Sequence, residues 1–194
     1  MNKRNFLIIM LSAVLLSSCD IAQQLASTYN MVNCKYDYNS VSNVVVSGMD
    51  VSKGVQLAYI PKITSLLMGK QSSVPIDLIV NLDVSNPNTS EALMNGMQYI
   101  LSIDGIQFTT GSLNNKLSIA PGGKQMLPLN IGFDLATLLK GDSADAVSGI
   151  VKNFLGIGSK KSEVSLQIKP SFMVGGRAVA SPVYIPVKFS FGGN

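Results

Sequence analysis

Apolar and polar residues alternate along most of the chain from residue 38 onward, and this pattern sets the first expectation. Between residues 76 and 84, Ile76, Leu78, Val80, Leu82 and Val84 are apolar, while Asp77, Asn81 and Asp83 fall between them. Successive side chains of a strand point to opposite faces, so this spacing predicts a half-buried antiparallel strand. Met97, Tyr99, Leu101 and Ile103 repeat the pattern, and Asp104-Gly105 follows. That dipeptide suits the positive φ angles of a two-residue type I′ hairpin turn, with Ile106, Phe108 and Thr110 as the return strand. A short strand over Leu117–Ile119 ends at Pro121-Gly122-Gly123, and Leu127, Leu129, Ile131, Phe133 and Leu135 mark a longer one. Pro128 in that strand has no N–H to donate, which predicts an edge position or a bulge. Val164, Leu166 and Ile168 mark another strand, interrupted at Pro170, and Phe172 and Val174 lead into a Gly175-Gly176 turn. Ile185, Val187, Phe189 and Phe191 mark the last strand, and Val44-Val45-Val46 an opening one of uncertain register.

Two segments break the alternation. Residues 61–68 place a proline in the first helical turn and turn Ile63, Leu66 and Leu67 inward. A second helix takes Asp142 or Ser143 as N-cap, gathers Val147, Ile150, Val151, Phe154 and Leu155 on one stripe, and stops at Gly156 or Gly158. No repeat and no second domain boundary is evident. The expected fold class is mainly β: an antiparallel β-sandwich over residues 38–194 with one or two short helices. Residues 19–37 read as a tether. Ile21, Leu25, Tyr29 and Val32 fall near helical spacing there, and a short helix and a disordered leash are both open.

The first residues change the picture. Lys3-Arg4 precedes an apolar run over residues 6–16, followed by Ser17, Ser18 and Cys19. A basic tip, a short apolar run and small residues before a cleavage point predict a signal-peptide helix over residues 1–18, too short to span a bilayer as a resident helix. Leu16-Ser17-Ser18-Cys19 resembles the bacterial lipobox, which implies that the Cys19 thiol takes a diacylglyceryl group and becomes the new N-terminus. The expected protein is therefore a lipoprotein, fatty-acylated and tied by Cys19 to the inner or outer membrane of a bacterial cell envelope, with its domain outside the cytoplasm. If Cys19 is lipidated, Cys34 has no intramolecular partner, and it reads as a thiol shielded at the domain edge.

Charge and chemistry narrow the function classes. The 15 basic and 11 acidic residues come near balance once Lys3 and Arg4 leave, and no run of Lys or Arg exists. Nucleic-acid binding needs a concentrated basic surface, so none is expected. The chain has no histidine, which removes Ser-His-Asp and Cys-His pairs, histidine general bases and histidine metal ligands. One free cysteine does not build a thiolate zinc site. Asp77, Asp83, Asp104 and Asp134 fall on polar strand faces or in turns and read as solvated carboxylates. Gly156-Ile157-Gly158 follows no strand, so it fails the context of a phosphate loop. No enzyme activity, catalytic residue, metal or cofactor is expected.

The run Val80-Asn81-Leu82-Asp83-Val84-Ser85-Asn86-Pro87-Asn88 resembles the strand and Asn-Pro-Asn corner of group 2 late embryogenesis abundant (LEA) proteins, the WHy (water stress and hypersensitive response) domain. Tyr99, Ser102, Asp104, Gly105 and Ile106 are similar to that family's Tyr-x-x-x-x-Asn-Gly hairpin, and Thr110-Gly111, a short strand, a Pro-Gly turn and the 127–135 strand follow in order. The likeness is best over residues 76–135, and residues 38–70 have no counterpart in it. It implies a fibronectin-like sandwich and a non-catalytic role in stress protection or protein interaction. Together with the Cys19 anchor, this makes the membrane and an envelope protein the expected partners. Physically, Asn86 can bond its own backbone two residues on, Pro87 fixes φ and stops the ladder, and Asn88 tolerates the left-handed region. The corner is thus structural punctuation. With 46% hydrophobic residues and a mean hydropathy of +0.31, the chain is expected to fold. A rival expectation is a carrier that binds a hydrophobic small molecule or lipid between sheet and helices, with Met68, Met94 and Met97 as adaptable lining. A cavity of several hundred Å³ would favour it and a closed core would count against it.

Overall fold

The computed structural model describes residues 26–27, 29–68 and 71–193. The leader and Cys19 lie outside them. In chain order the strands are β1 (Lys35–Val46), β2 (Met49–Asp50), β3 (Pro75–Ser85), β4 (Ala92–Met94), β5 (Gly96–Ile103), β6 (Ile106–Leu113), β7 (Leu117–Ile119), β8 (Lys124–Asp134), β9 (Lys161–Val174), β10 (Arg177–Ala180) and β11 (Ile185–Gly192). The helices are α1 (Ile60–Leu67), α2 (Leu135–Leu138) and α3 (Ala144–Phe154). One sheet has the order β2-β1-β3-β8. In the other, β6 pairs with β5 and β5 with β9, whose far edge is shared by β10 and β11. A small β4–β7 ribbon completes the set, and every ladder is antiparallel. The mainly-β antiparallel architecture predicted by the alternation is the one the chain adopts.

The core lies between the two sheets. Val80, Leu82 and Val84 of β3 meet Leu129 and Ile131 of β8, and Leu101, Leu166 and Ile168 come from the facing sheet; all are nearly fully buried. Asp104 (φ 50°) and Gly105 (φ 80°) make the expected hairpin turn, and the Asp104 carboxylate accepts the Glu163 N–H at 2.7 Å. β8 is an edge strand, as Pro128 requires, and Pro128 sits opposite Asn81. α1 buries Ile63 and Leu66 behind Pro61, and α3 buries Val147 and Ile150 and ends before Gly156 (φ 72°).

Three departures have physical causes. β1 opens at Lys35, well before Val44, because register shifts between Tyr38 and Ser40 and between Ser42 and Val45 reset its phase. Bulges erase the period of two on which a sequence reading relies. β9 runs unbroken through Pro170, because that residue lies where the ladder changes partner: β11 begins opposite Ile168 and β10 ends opposite Ser171. There the Ser181 N–H donates to the Pro170 carbonyl at 2.7 Å. Leu135 leaves its strand because the Asp134 carboxylate accepts the Val74 and Ala136 N–H groups, each at 2.8 Å, and so caps α2.

Tyr99 and Gly111 are cross-strand partners in β5 and β6, and a Cβ at Gly111 would collide with the Tyr99 ring. The glycine leaves the space that the ring fills. We expect Gly111→Ala to lower stability by about 1–3 kcal/mol, the usual cost of overpacking, read as a fall in Tm. In a Tyr99→Ala background the same substitution should cost much less; equal cost in both backgrounds would refute the contact.

Candidate functional site

The Asn-Pro-Asn corner is the better organised of two candidate regions. Asn86 is only 1% exposed. Its Nδ2 donates to the carbonyls of Ser90 and Ile119, each at 2.9 Å, and of Ala120 at 3.2 Å. Its Oδ1 accepts the Asn88 backbone N–H at 3.0 Å and the Asn88 side chain at 2.7 Å. The expected bond two residues on is therefore present. Asn88 does not take a left-handed backbone; its amide instead reaches the Asn30 carbonyl at 3.0 Å. Asn30 in turn donates to Ser90 Oγ at 2.6 Å and to the Glu91 carbonyl at 2.9 Å. Nothing in the local pattern around Asn30 points to partners 60 residues away.

This network docks the segment that enters the domain. Residues 29–32 are helical, Met31 is fully buried, and the Tyr36 hydroxyl donates to the Met31 carbonyl at 2.8 Å. Cys34 is buried, and burial pushes its thiol up to about 11. It is therefore held as a thiol with little nucleophilic character. Burial also raises the Tyr36 phenol, with a smaller push from Cys34.

The carboxylates considered for chemistry are dispersed. Asp83 pairs with Lys124 at 2.9 Å and accepts from Asn39 at 3.1 Å, which hold it below its ordinary value. Asp134 is lowered by Ser73 first and then by the Val74 and Ala136 N–H groups that it caps. Among the described residues no group of three or more His, Cys, Asp and Glu is placed to hold a metal.

The second region is an apolar cavity of about 90 Å³ at the opposite end, between the sheets and beneath α1 and α3. Its walls are Val, Ile, Leu and Phe side chains only, among them Ile63, Val80, Leu101, Phe133 and Ile150. It adjoins an outer pocket of about 230 Å³ that reaches Val51, Ser52 and Val55, and both are bounded by Val41, Phe154 and Leu155. Among the described residues no methionine lines it: Met94 and Met97 are buried elsewhere, and Met68 is 62% exposed. The alternation marks these residues as core, but it cannot mark a gap between them.

No family model matches the chain, and no curated protein matches it. Solved structures do. A crystal structure of a protein from Archaeoglobus fulgidus is 14% identical and covers 81% of this chain and 98% of its own, with a TM-score of 0.39. The solution structure of an Arabidopsis thaliana protein is 14% identical over 81% of this chain and 82% of its own, with a TM-score of 0.41. The solution structure of a provisionally assigned LEA protein is 17% identical over 96% of this chain and 85% of its own, with a TM-score of 0.37.

Asn86→Ala would strand the buried Ile119 carbonyl and free Asn88, and we expect it to cost about 2–4 kcal/mol by denaturant unfolding. Asn86→Asp keeps the shape but aims a carboxylate at three carbonyls, so it should cost at least as much. A harmless Asp variant would disprove the donor role.

Proposed function

We propose that this is a non-catalytic, lipid-anchored envelope protein whose β-sandwich is of the LEA group 2 (WHy) type, with a role in stress protection or in holding an envelope protein. The observation that carries the anchor is Leu16-Ser17-Ser18-Cys19 behind a basic tip and an apolar run. Support for the LEA type comes from the corner motif and from Tyr99 and Gly111, two residues of the family pattern that pack on each other. A single myristoyl-sized chain binds a bilayer only marginally, so the two or three acyl chains of a mature lipoprotein cysteine are what would hold the domain stably. In cells, wild-type protein should fractionate with membranes and take up labelled palmitate, whereas Cys19→Ala should be soluble or remain an uncleaved precursor. A Cys19→Ala protein that is cleaved and membrane-bound like wild type would overturn the anchor.

The all-apolar lining of the cavity supports a second reading, a carrier for an apolar molecule, while its volume falls short of the several hundred Å³ that such a site calls for. At about 90 Å³ it is smaller than the ~150 Å³ that admits benzene, so an aliphatic chain would have to part α1 from α3 and extend past Phe154 into the outer pocket. Solvent extraction of denatured protein purified from membranes should then release about one non-covalent acyl lipid per chain. Ile150→Phe, which fills the cavity, should release almost none while keeping its Tm. Equal recovery from both, or none from wild type, would refute the carrier.

A further inference from the structure

Beyond Ser171, the last residue of β9 paired with β5, the chain continues as a two-stranded ribbon of β9 and β10. Every residue of β10 is exposed. Met173 (42%), Val179 (46%), Val183 (49%) and Tyr184 (39%) present apolar surface there, although nothing in the described residues covers it. Met173 lies opposite Ala178 and Val179 opposite Phe172, so the ribbon shows exposed apolar side chains on both of its faces. Exposed apolar surface on a projecting ribbon is a mark of an interaction site. Lys169 lies 5.1 Å from the centre of the Tyr184 ring, and Ser181 holds the turn before it by bonding both the Val183 N–H and its carbonyl.

The position of this ribbon is fixed by the same segment that fixes the N-terminal residues. Asn30 is bonded to Ser90 and Glu91. Four residues further on, Asn95 donates its N–H to the Ser171 carbonyl and accepts the Met173 N–H at 3.2 Å. Four extended residues span about 13 Å. The ribbon and the point where the chain enters the domain therefore share one end of the sandwich. Tyr29 comes only ten positions after Cys19, a reach of at most ~36 Å. Two cations, Lys169 and Arg177, lie on β9 and β10 themselves, and the chain from Val164 onward holds no acidic residue; Glu91 is the acidic side chain that shares this end.

We propose that the β9–β10 ribbon and the 181–184 turn form a membrane-contact surface for an anionic bilayer. The ribbon enters the headgroup boundary edge-on, with Met173 and Lys169 on one face and Val179 and Arg177 on the other. Met173, Val179, Val183 and Tyr184 meet the acyl boundary, and the two cations reach the lipid phosphates. Aromatic side chains with one wet end and cations on flexible stems favour that boundary, and each nearby basic residue adds attraction that salt weakens. The inference rests on the Cys19 anchor, since the anchor is what brings this end to a membrane. Under it, the cavity end, with exposed Leu57 and Met68, points away from the bilayer.

The chain has no tryptophan, so a single introduced one reports alone. Full-length lipidated Val179→Trp and Leu57→Trp proteins are reconstituted into phosphatidylethanolamine–phosphatidylglycerol vesicles carrying bromine on the acyl chains. The 179 fluorescence should shift to the blue and be quenched roughly twofold or more, as for a side chain sunk into the headgroup boundary, while position 57 stays unquenched. Arg177→Glu in the Val179→Trp protein should reduce that quenching. Proteins that float with the vesicles but show no quenching at 179, or equal quenching at 57, overturn the contact surface and leave the anchor standing. Proteins that do not float overturn both.

Discussion

Two apolar faces that leave water only by covering each other are the constraint on which this protein depends. Val80, Leu82 and Val84 in one sheet and Leu101, Leu166 and Ile168 in the other are almost completely buried, and each such side chain contributes about 1.5–3 kcal/mol by its removal from water. That gain exists only in one register, because a slip of one residue turns every one of them outward. The continuous pairing of β3 with β8 from Pro75–Asp134 to Ser85–Lys124 keeps that register over the whole length of both strands. In β1, polar side chains help hold the short stretch between the two register shifts: Asn81 donates to Ser40 and Ser42 there.

A sandwich built this way is open at both ends, and the two ends are closed by different forces. At the corner end a buried amide, Asn86, satisfies backbone carbonyls from two segments and takes hydrogen bonds from a third residue. Such bonds are directional and costly to leave unmade, so this end has one geometry. It is also where residues 29–34 dock. At the other end, α1 and α3 lie over the gap through Leu, Ile, Val and Phe contacts. These contacts have no preferred direction and tolerate imperfect closure, which is how a cavity persists beside a dense core. Rigidity thus accompanies the end where residues 29–34 dock, and adaptability lies far from it.

The carboxylates illustrate how a polar residue is absorbed into such a frame. Asp134 caps a four-residue helix and Asp104 ties a hairpin turn to β9, each through backbone N–H groups. A sequence reading places both on solvated faces. It cannot distinguish a carboxylate that faces water from one that completes the hydrogen bonding of a neighbouring strand, because the donor comes from a segment about 60 residues away.

Local chemistry determined much of this protein without reference to its fold. Period-two alternation defined β3, β5, β8 and β11, Asp104-Gly105 defined a turn that needs positive φ, and Pro61 opened a helix. These signals were legible because each acts within a few residues of chain. The extent of β1, the uninterrupted course of β9 through Pro170, the capping of α2 and the union of Asn30 with Asn86 and Asn88 were decided by tertiary structure. So was the cavity, since a gap depends on how completely several distant side chains meet. Hydrophobic pattern specifies which face is buried, but only the assembled sheets and helices determine what is left between them.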